Sequence, residues 1–223
     1  MGSIRAHFER ELNELQDETM LLGSMVDAAI AGAVDALRRR DLEASARIIE
    51  EDNQIDRKRW EIEQRSIKLL ATQQPAAVDL RLIYAIANII TDLERMGDHA
   101  EGIAKISLMI GDTPLPKPLI DIPRMSDEAR KMLRRSLDAF VNRDIEAAKA
   151  VAQEDDVVDG LYDQVYRELL ILMIENPRVI TVGTYLLWVA HNLERIADRV
   201  TNICERVVYM VTGRMEEINV SRY

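Results

Sequence analysis

The sequence predicts an all-α protein made of two tandem three-helix bundles that are related by internal duplication. Three observations support this fold class. The 223 residues include only nine glycines and six prolines, and aromatic residues make up 4% of the chain, whereas a β-rich protein needs many turns and many aromatic side chains. The prolines fall at three places only. The two halves of the chain also repeat one another.

The positions of the prolines divide the chain into helical segments. Pro75, the four prolines within 114–123 and Pro177 account for all six. Because proline removes a backbone hydrogen bond and clashes with the preceding turn, helices are expected between these positions. The apolar residues there recur at helical spacing, which predicts six helices, at about 4–40, 42–71, 76–110, 124–141, 144–174 and 178–212. Asp41 and Asp144 are placed to cap the second helix of each half.

The proline-rich segment 113–123 is the only linker that the sequence predicts. It separates a first bundle, residues 1–112, from a second bundle, residues 124–223. Residues 40–44 (RDLEA) return as 143–147 (RDIEA), and the LER triplet of 93–95 returns at 193–195. A repeat of this length, with three helices in each copy, is typical of two bundles and not of a solenoid.

The third helix of each half carries a continuous apolar stripe spaced by threes and fours, which predicts the buried seam of a bundle. These residues are Leu82, Ile86, Ile89, Leu93, Met96, Ala100 and Ile103, and then Val182, Leu186, Val189, Leu193, Ile196, Val200, Ile203, Val207 and Met210. The second helix of each half differs, because its stripe contains an aspartate, Asp52 or Asp155, at the same place in both copies. A carboxylate there is costly to bury unless it is paired, hydrogen-bonded or bound to a cation.

More carboxylates accompany these two aspartates. The pairs at four-residue spacing, which point the same way from a helix, are Asp52 and Asp56, Glu94 and Asp98, Asp155 and Asp159, and Glu194 and Asp198. Glu101 and Glu205 extend the stripes. Either arginine or a metal ion could compensate the charge, and all-oxygen ligands suit hard cations, manganese or iron. The simplest alternative is that the acids only solvate the outside of a bundle.

Composition excludes several function classes. The net charge of −10 argues against a nucleic-acid-binding protein. The single cysteine, Cys204, excludes an internal disulfide and a multi-cysteine zinc site, and we expect it to be a packed core residue. No apolar run approaches the ~18 residues of a membrane span, and the first residues lack a signal-peptide pattern, so we expect a cytoplasmic protein without membrane insertion. Trp60 and Trp188 are expected to be packing anchors.

Residues 91–100 (TDLERMGDHA) and 191–203 (HNLERIADRVTNI) each contain a glutamate that is followed four residues later by an aspartate. These two segments resemble the paired acidic signatures of the PhoU family. The turn at 73–75 and the helix starts at Arg40 and Arg143 are also similar, and the resemblance extends from Phe8 to about Gly213. It implies two three-helix bundles with pseudo-twofold symmetry.

The resemblance also implies a function. Members of the family are non-enzymatic, negative regulators of phosphate uptake and of the phosphate-starvation response. They couple the ATPase subunit of the phosphate ABC transporter to a phosphate-sensing histidine kinase, and they are usually homodimers or larger. Several carry metal ions, with iron the first expectation here and manganese, zinc or magnesium the others. The implied ligands in this chain are Asp52, Asp56, Glu94 and Asp98, then Asp155, Asp159, Glu194 and Asp198, with Glu101 and Glu205 as additional candidates.

The chain departs from the family pattern at two positions. Gly102 stands where the second copy has Asn202, so the first site is expected to lack one oxygen ligand. His191 could add a nitrogen ligand to the second. His99, which is beside Asp98, is expected to form an ordinary ion pair.

Two other functions remain open from the sequence. A carboxylate-bridged di-metal oxidase would need Glu-x-x-His motifs, but Gly97 and Ala197 follow the two signature glutamates at that spacing. A purely structural helical interaction protein would leave the acids solvated. No glycine-rich phosphate loop or nucleophile triad is present.

Overall fold

The computed structural model describes residues 2–219. The first residue of the first predicted bundle and residues 220–223 of the second lie outside this range. Its helices are α1 (Gly2–Arg39), α2 (Leu42–Gln73), α3 (Ala77–Ile110), α4 (Asp121–Asn142), α5 (Ile145–Gln153), α6 (Asp155–Glu175) and α7 (Ile180–Thr212). A 3₁₀ turn, Pro177–Val179, precedes α7. The described residues contain no strand, so the all-α prediction is confirmed.

The two copies begin their second helix in the same way. Asp41 accepts a hydrogen bond from the backbone N–H of Ala44 at 2.8 Å, and Asp144 accepts one from Ala147 at 2.9 Å. The residues just before these caps, Arg40 and Arg143, both adopt positive φ angles, of 56° and 54°. The predicted N-caps are therefore confirmed, and the turn between the first two helices is duplicated.

The helix limits differ from prediction in the second copy. The single helix predicted at 144–174 is broken at Glu154 into α5 and α6, where the N–H of Glu154 bonds to the carbonyl of Val151, three residues back. The helix predicted to start at residue 124 begins at Asp121, because Pro123 lies in the first turn, where a missing N–H costs no helical hydrogen bond. The last part of the predicted linker is thus helical.

The helices pack with the long third helices at the centre. Helices α1 and α3 of the first copy contact α4 and α7 of the second, while α2 and the α5–α6 pair lie on the outside. The most extensive contact joins α3 and α7, which run antiparallel: the rings of Tyr84 and Tyr209 are 5.5 Å apart, and His99, later in α3, contacts Asn192, earlier in α7. The apolar residues of both copies form one continuous core.

The predicted seams are buried along their whole length in both copies. Cys204 is also buried and free, and burial raises the pKa of its thiol to about 12. The two tryptophans are not packing anchors, however, because Trp60 is 56% exposed and Trp188 is 49% exposed. Helical spacing alone did not identify the face on which they lie.

One helix of the described chain, α1, is long and apolar enough to cross a membrane when judged by length and composition. The sequence alone predicts no apolar run of this length, so the finding differs from that expectation. Leu15, Leu22 and Ile30 of this helix are nevertheless fully buried among the other helices, as the apolar stripe of a bundle helix is.

Candidate functional site

The structure brings the five predicted acids of the first copy together between α2 and α3. We call this group the first carboxylate cluster, and its members are Asp52, Asp56, Glu94, Asp98 and Glu101. The pKa of Asp52 is raised to about 6, first by burial and then by the neighbouring Glu101, Asp56 and Asp98. The pKa of Glu94 is also raised, first by burial and then by Asp98. The cluster is half-buried and carries several like charges at short range.

The second carboxylate cluster lies between α6 and α7 and is more deeply buried. Its members are Asp155, Asp159, Glu194 and Asp198. Asp155 is only 2% exposed and Glu194 only 6% exposed. The pKa of Asp155 is raised to about 7 and that of Asp159 to about 6, in both cases first by burial and then by the neighbouring carboxylates.

The two clusters also differ in the positive charge near them, because one position of the repeat is occupied by different residues. Arg59 of α2 and Tyr162 of α6 occupy the same place on their stripes. Arg59 lowers the pKa of Glu94 in the first cluster, whereas Tyr162 supplies no charge to the second, and its own pKa is raised by burial and by Glu194. Tyr162 is a site residue that the sequence analysis did not select, although its position opposite Arg59 in the repeat was a usable signal.

Glu205 does not join the second cluster. The position that corresponds to Glu101 is Thr201, whose hydroxyl donates to the backbone carbonyl of Asp198 at 2.7 Å. Glu205 lies one turn further along α7, where it accepts a hydrogen bond from the N–H of Ile218 at 3.4 Å. Thr201 therefore replaces the fifth carboxylate in the second copy.

Basic side chains neutralise only the outer edges of the clusters. Asp98 pairs with Arg95 at 3.1 Å, Asp198 pairs with Arg195 at 2.6 Å, and Glu101 pairs with Lys105 at 2.5 Å. The aspartates on the outer helices differ: within residues 5–219, no Lys or Arg forms an ion pair with Asp52, Asp56, Asp155 or Asp159. Arginine and lysine thus neutralise part of the negative charge of the clusters. The aspartates of α2 and α6 have no basic partner among the described residues.

The donor set of the second cluster fits a cation, although the ligands are not yet gathered around one. The Oδ1 atom of Asp155 is buried and has no hydrogen-bond partner. All four side chains offer oxygen ligands, which suit magnesium, manganese or iron. In the described residues, no three His, Cys, Asp or Glu side chains stand close enough together to form a finished metal site. A cation would therefore require side-chain rotation on binding.

Both histidines of the signature segments have local partners. The Nδ1 of His191 lies 3.3 Å from a carboxylate oxygen of Glu194, and its ring lies 6.3 Å from that of Tyr162. His99 does not pair with Asp98: its Nδ1 contacts the Oδ1 of Asn192 at 2.9 Å, and burial lowers its pKa. The expectation for His99 was therefore wrong.

The side chain of Asn202 bonds across to the first copy. Its side-chain amide donates to Asp92 of α3 at 3.1 Å, and Arg199 donates to the same carboxylate at 3.2 Å. Asp92 is buried at the contact between the two copies. Asn202 thus links the two copies through Asp92.

Two glycines of α3 test how closely the clusters are packed. An alanine Cβ at Gly97 would lie 3.2 Å from Asp52 Oδ1 and from two methyl groups of the buried Ile55. At Gly102 it would meet only the amide of Asn192, also at 3.2 Å. Alanine in a helix interior gains about 1 kcal/mol over glycine. We expect Gly97→Ala to lower the free energy of unfolding by about 1 kcal/mol, because the added methyl group would crowd the buried Ile55.

Gly102→Ala is the matched control, and we expect it to raise the free energy of unfolding by up to about 1 kcal/mol, because the partly exposed Asn192 needs to shift by only a few tenths of an ångström. Urea unfolding of both variants at one pH measures the two effects. Equal changes in the two proteins would contradict the close packing of Asp52 and Ile55 on Gly97.

Comparison with known proteins places this arrangement in a family. The PhoU domain model matches the chain twice, at residues 19–107 and 122–207. A phosphate-specific transport system accessory protein PhoU homolog from Clostridium acetobutylicum is 39% identical over 216 residues, which are 96% of this chain and 99% of the relative. A homolog of the same name from Aquifex aeolicus is 38% identical and covers 92% of this chain and 93% of its own.

Solved structures show the same fold. The crystal structure of PhoU from Pseudomonas aeruginosa superposes with a TM-score of 0.88 at 35% identity, and the match covers 93% of this chain and all of that chain. A phosphate transport system regulatory protein PhoU from Streptococcus pneumoniae gives a TM-score of 0.86, also at 35% identity, over 94% and 99%. The two matched segments correspond to the two copies in the sequence, so the duplication is confirmed, and the chain belongs to the PhoU family.

Proposed function

We propose that this protein is a negative regulator of phosphate uptake and of the phosphate-starvation response. It acts in the cytoplasm as an adaptor, without enzymatic activity, between the ATPase subunit of the phosphate ABC transporter and a sensor histidine kinase. The observation that carries the proposal is the match over nearly the whole chain to proteins named as accessory proteins of the phosphate-specific transport system. A whole-length match at this identity supports the same role better than a shared fold alone does.

The surface supports a protein that works through contacts. Large apolar side chains are exposed on both hairpins between the second and third helices of each copy, and exposed apolar surface of this kind marks interaction sites. They are Ile67, Leu70, Val78 and Leu80 in the first copy and Leu170, Ile171, Ile174 and Ile180 in the second. The exposed Trp60 and Trp188 add to this surface, which a homodimer or the two proposed partners would cover.

A genetic test addresses the regulatory role. The chain is expressed in bacteria that lack their own regulator of this type and carry a reporter of the phosphate-starvation response. We expect the reporter to be repressed in ample phosphate, and the purified chain to retain the transporter ATPase in a pull-down. A reporter that remains fully active, with the protein present in the soluble fraction, would contradict the proposal.

We also propose that the carboxylate clusters bind cations, iron first and then manganese, zinc or magnesium. Asp155, Asp159, Glu194 and Asp198 would hold the ion of the second copy. A bound cation would supply the positive charge that the buried Asp155 lacks. The proposal rests on the unpartnered Oδ1 of this residue and on the absence of a basic partner for it among the described side chains. A purely structural role with solvated acids does not fit the burial of Asp155 and Glu194.

Elemental analysis of the untagged protein tests the cation proposal. We expect bound metal as purified and a melting temperature that falls when a chelator removes it, because a ligand that binds only the folded state stabilises it. The double variant Asp98→Asn plus Asp198→Asn should stay helical and lose the metal. Glu175→Gln, which replaces an exposed acid of α6 by its amide, is the control. Full metal content in the double variant would refute the assignment.

A further inference from the structure

The segment that follows α7 turns back along the second copy. Gly213 ends α7 with a positive φ of 74°, and its N–H donates to the carbonyl of Tyr209 at 2.8 Å. A positive φ is a conformation that glycine adopts without strain. We call residues 213–219 the strap, because they cross from α7 to α5.

The strap contacts both helices. The N–H of Ile218 donates to Glu205 of α7 at 3.4 Å, and the side chain of Ile218 packs against the core. The side-chain amide of Asn219 donates to the carbonyl of Ala152 in α5 at 3.2 Å, and Glu216 pairs with Lys149 of α5 at 3.5 Å. The strap therefore ties the end of α5 to α7.

The break in the outer helix lies next to this contact. Helix α5 ends at Gln153 and α6 begins at Asp155. Glu154 between them bonds three residues back to Val151, and Val157 bonds three residues back to Glu154, both at 3.0 Å. The last carbonyls of a helix have no partner within it, and Asn219 donates to one of these in α5. The strap thus stabilises an end of α5 that a continuous helix would not have.

The first copy has neither a broken outer helix nor a segment that corresponds to the strap. Helix α2 runs without a break through the corresponding positions, including Glu51, the counterpart of Glu154. The chain that follows α3 turns instead toward the second copy, where Lys117 pairs with Glu168. Within the described residues, segment 111–120 makes no hydrogen bond or ion pair with α2. The strap and the break therefore occur in the same copy and at the same place.

We propose that the strap is a conformational device that holds the second outer helix in its broken form. When the strap detaches, α5 and α6 join into one continuous helix of the α2 type. Asp155, the first residue of α6, then changes its position relative to α7. A cavity of about 440 Å³ also opens, since Glu217 and Asn219 of the strap form one wall and Asp198 and Asn202 of α7 form another. The few contacts of the strap make it one of the easier segments to release.

Hydrogen exchange of the full-length chain, followed by mass spectrometry, tests this device. The variant Ile218→Ser plus Asn219→Ala removes the packed side chain and the bond to Ala152. Residues 213–219 should then exchange faster, and the amides of 154–157 should exchange about tenfold more slowly, because they enter the interior of a continuous helix. Arg214→Ala is the control within the strap, since the side chain of Arg214 makes no described contact, and it should change neither region.

A second variant, Glu216→Ala plus Asn219→Ala, keeps Ile218 in the core and therefore tests the device without opening a packed site. We expect the same pair of changes in exchange. Faster or unchanged exchange at 154–157, together with faster exchange of the strap, would show that the strap only covers the break. No change in the strap itself would show that the described contacts do not hold it. Either result overturns the proposal.

Discussion

Replacing Asp155 by asparagine is expected to raise the free energy of unfolding of the metal-free protein by about 3 kcal/mol above pH 7. The carboxyl group of Asp155 is buried, its Oδ1 has no partner, and its pKa is about 7 instead of 3.8. Above pH 7 the folded protein must therefore hold a buried negative charge beside Asp159, Asp198 and Glu194. Asparagine has nearly the same shape and removes that charge.

The pH dependence of this effect has a definite sign. Because the pKa is higher in the folded than in the unfolded state, the folded protein retains the proton between about pH 4 and pH 7. Stability of the unmodified protein then falls as the pH rises through this range and becomes constant above it. The advantage of Asp155→Asn should be near zero at pH 4 and complete at pH 8.

Urea unfolding in the presence of a chelator, at pH 4.5, 6 and 8, measures this difference. Glu175→Gln on the same helix removes an exposed charge and should show no comparable gain. With added metal the unmodified protein should become the more stable of the two. It gains the binding free energy of the ion, whereas the variant has lost a ligand. If Asp155→Asn were destabilising at pH 8 without metal, the described burial of this carboxyl group would be wrong.

Much of the fold could be predicted because it follows from local signals that occur twice. Each of these signals depends on a few neighbouring residues. They are the caps at Asp41 and Asp144, the proline positions, and the spacing of the seam residues by three and four positions. The placement of Asp52 and Asp155 on an apolar stripe was visible for the same reason. Duplication then made the prediction of two related bundles possible from one chain.

Features that depend on contacts between distant parts of the chain could not be predicted. Asn202 is on the signature segment, but its partner is Asp92 on α3, 110 residues away in the chain. The break at Glu154 has no helix-breaking residue and coincides with contacts from Asn219 and Arg135. The exposure of Trp60 and Trp188 reflects which side of each helix the neighbouring helices cover. All of these are properties of the assembled fold and not of a local sequence window.

The contact that joins the copies leads to the second large effect. Asp92→Ala removes the carboxylate that accepts from both Asn202 and Arg199. Arg199 is then left partly buried without a counter-charge, and its Nε already lacks a partner. Removing one member of such a pair is costly because the remaining charge stays desolvated. We expect the free energy of unfolding to fall by about 3 kcal/mol.

The internal duplication supplies the control for this variant. Asn192 corresponds to Asp92 in the repeat, and it contacts His99 at the equivalent place on the opposite side of the α3–α7 contact. Asn192→Ala removes only neutral hydrogen bonds, to His99 and to the backbone carbonyl of Trp188, and should lower the free energy of unfolding by only about 1 kcal/mol. Denaturant unfolding of the two variants compares a charged and a neutral version of one contact within a single molecule.

Equal losses would mean that the ion pair between Asp92 and Arg199 contributes nothing beyond an ordinary hydrogen bond. A larger loss for Asp92→Ala, with unfolding in two steps, would show that this carboxylate also couples the stability of one copy to that of the other.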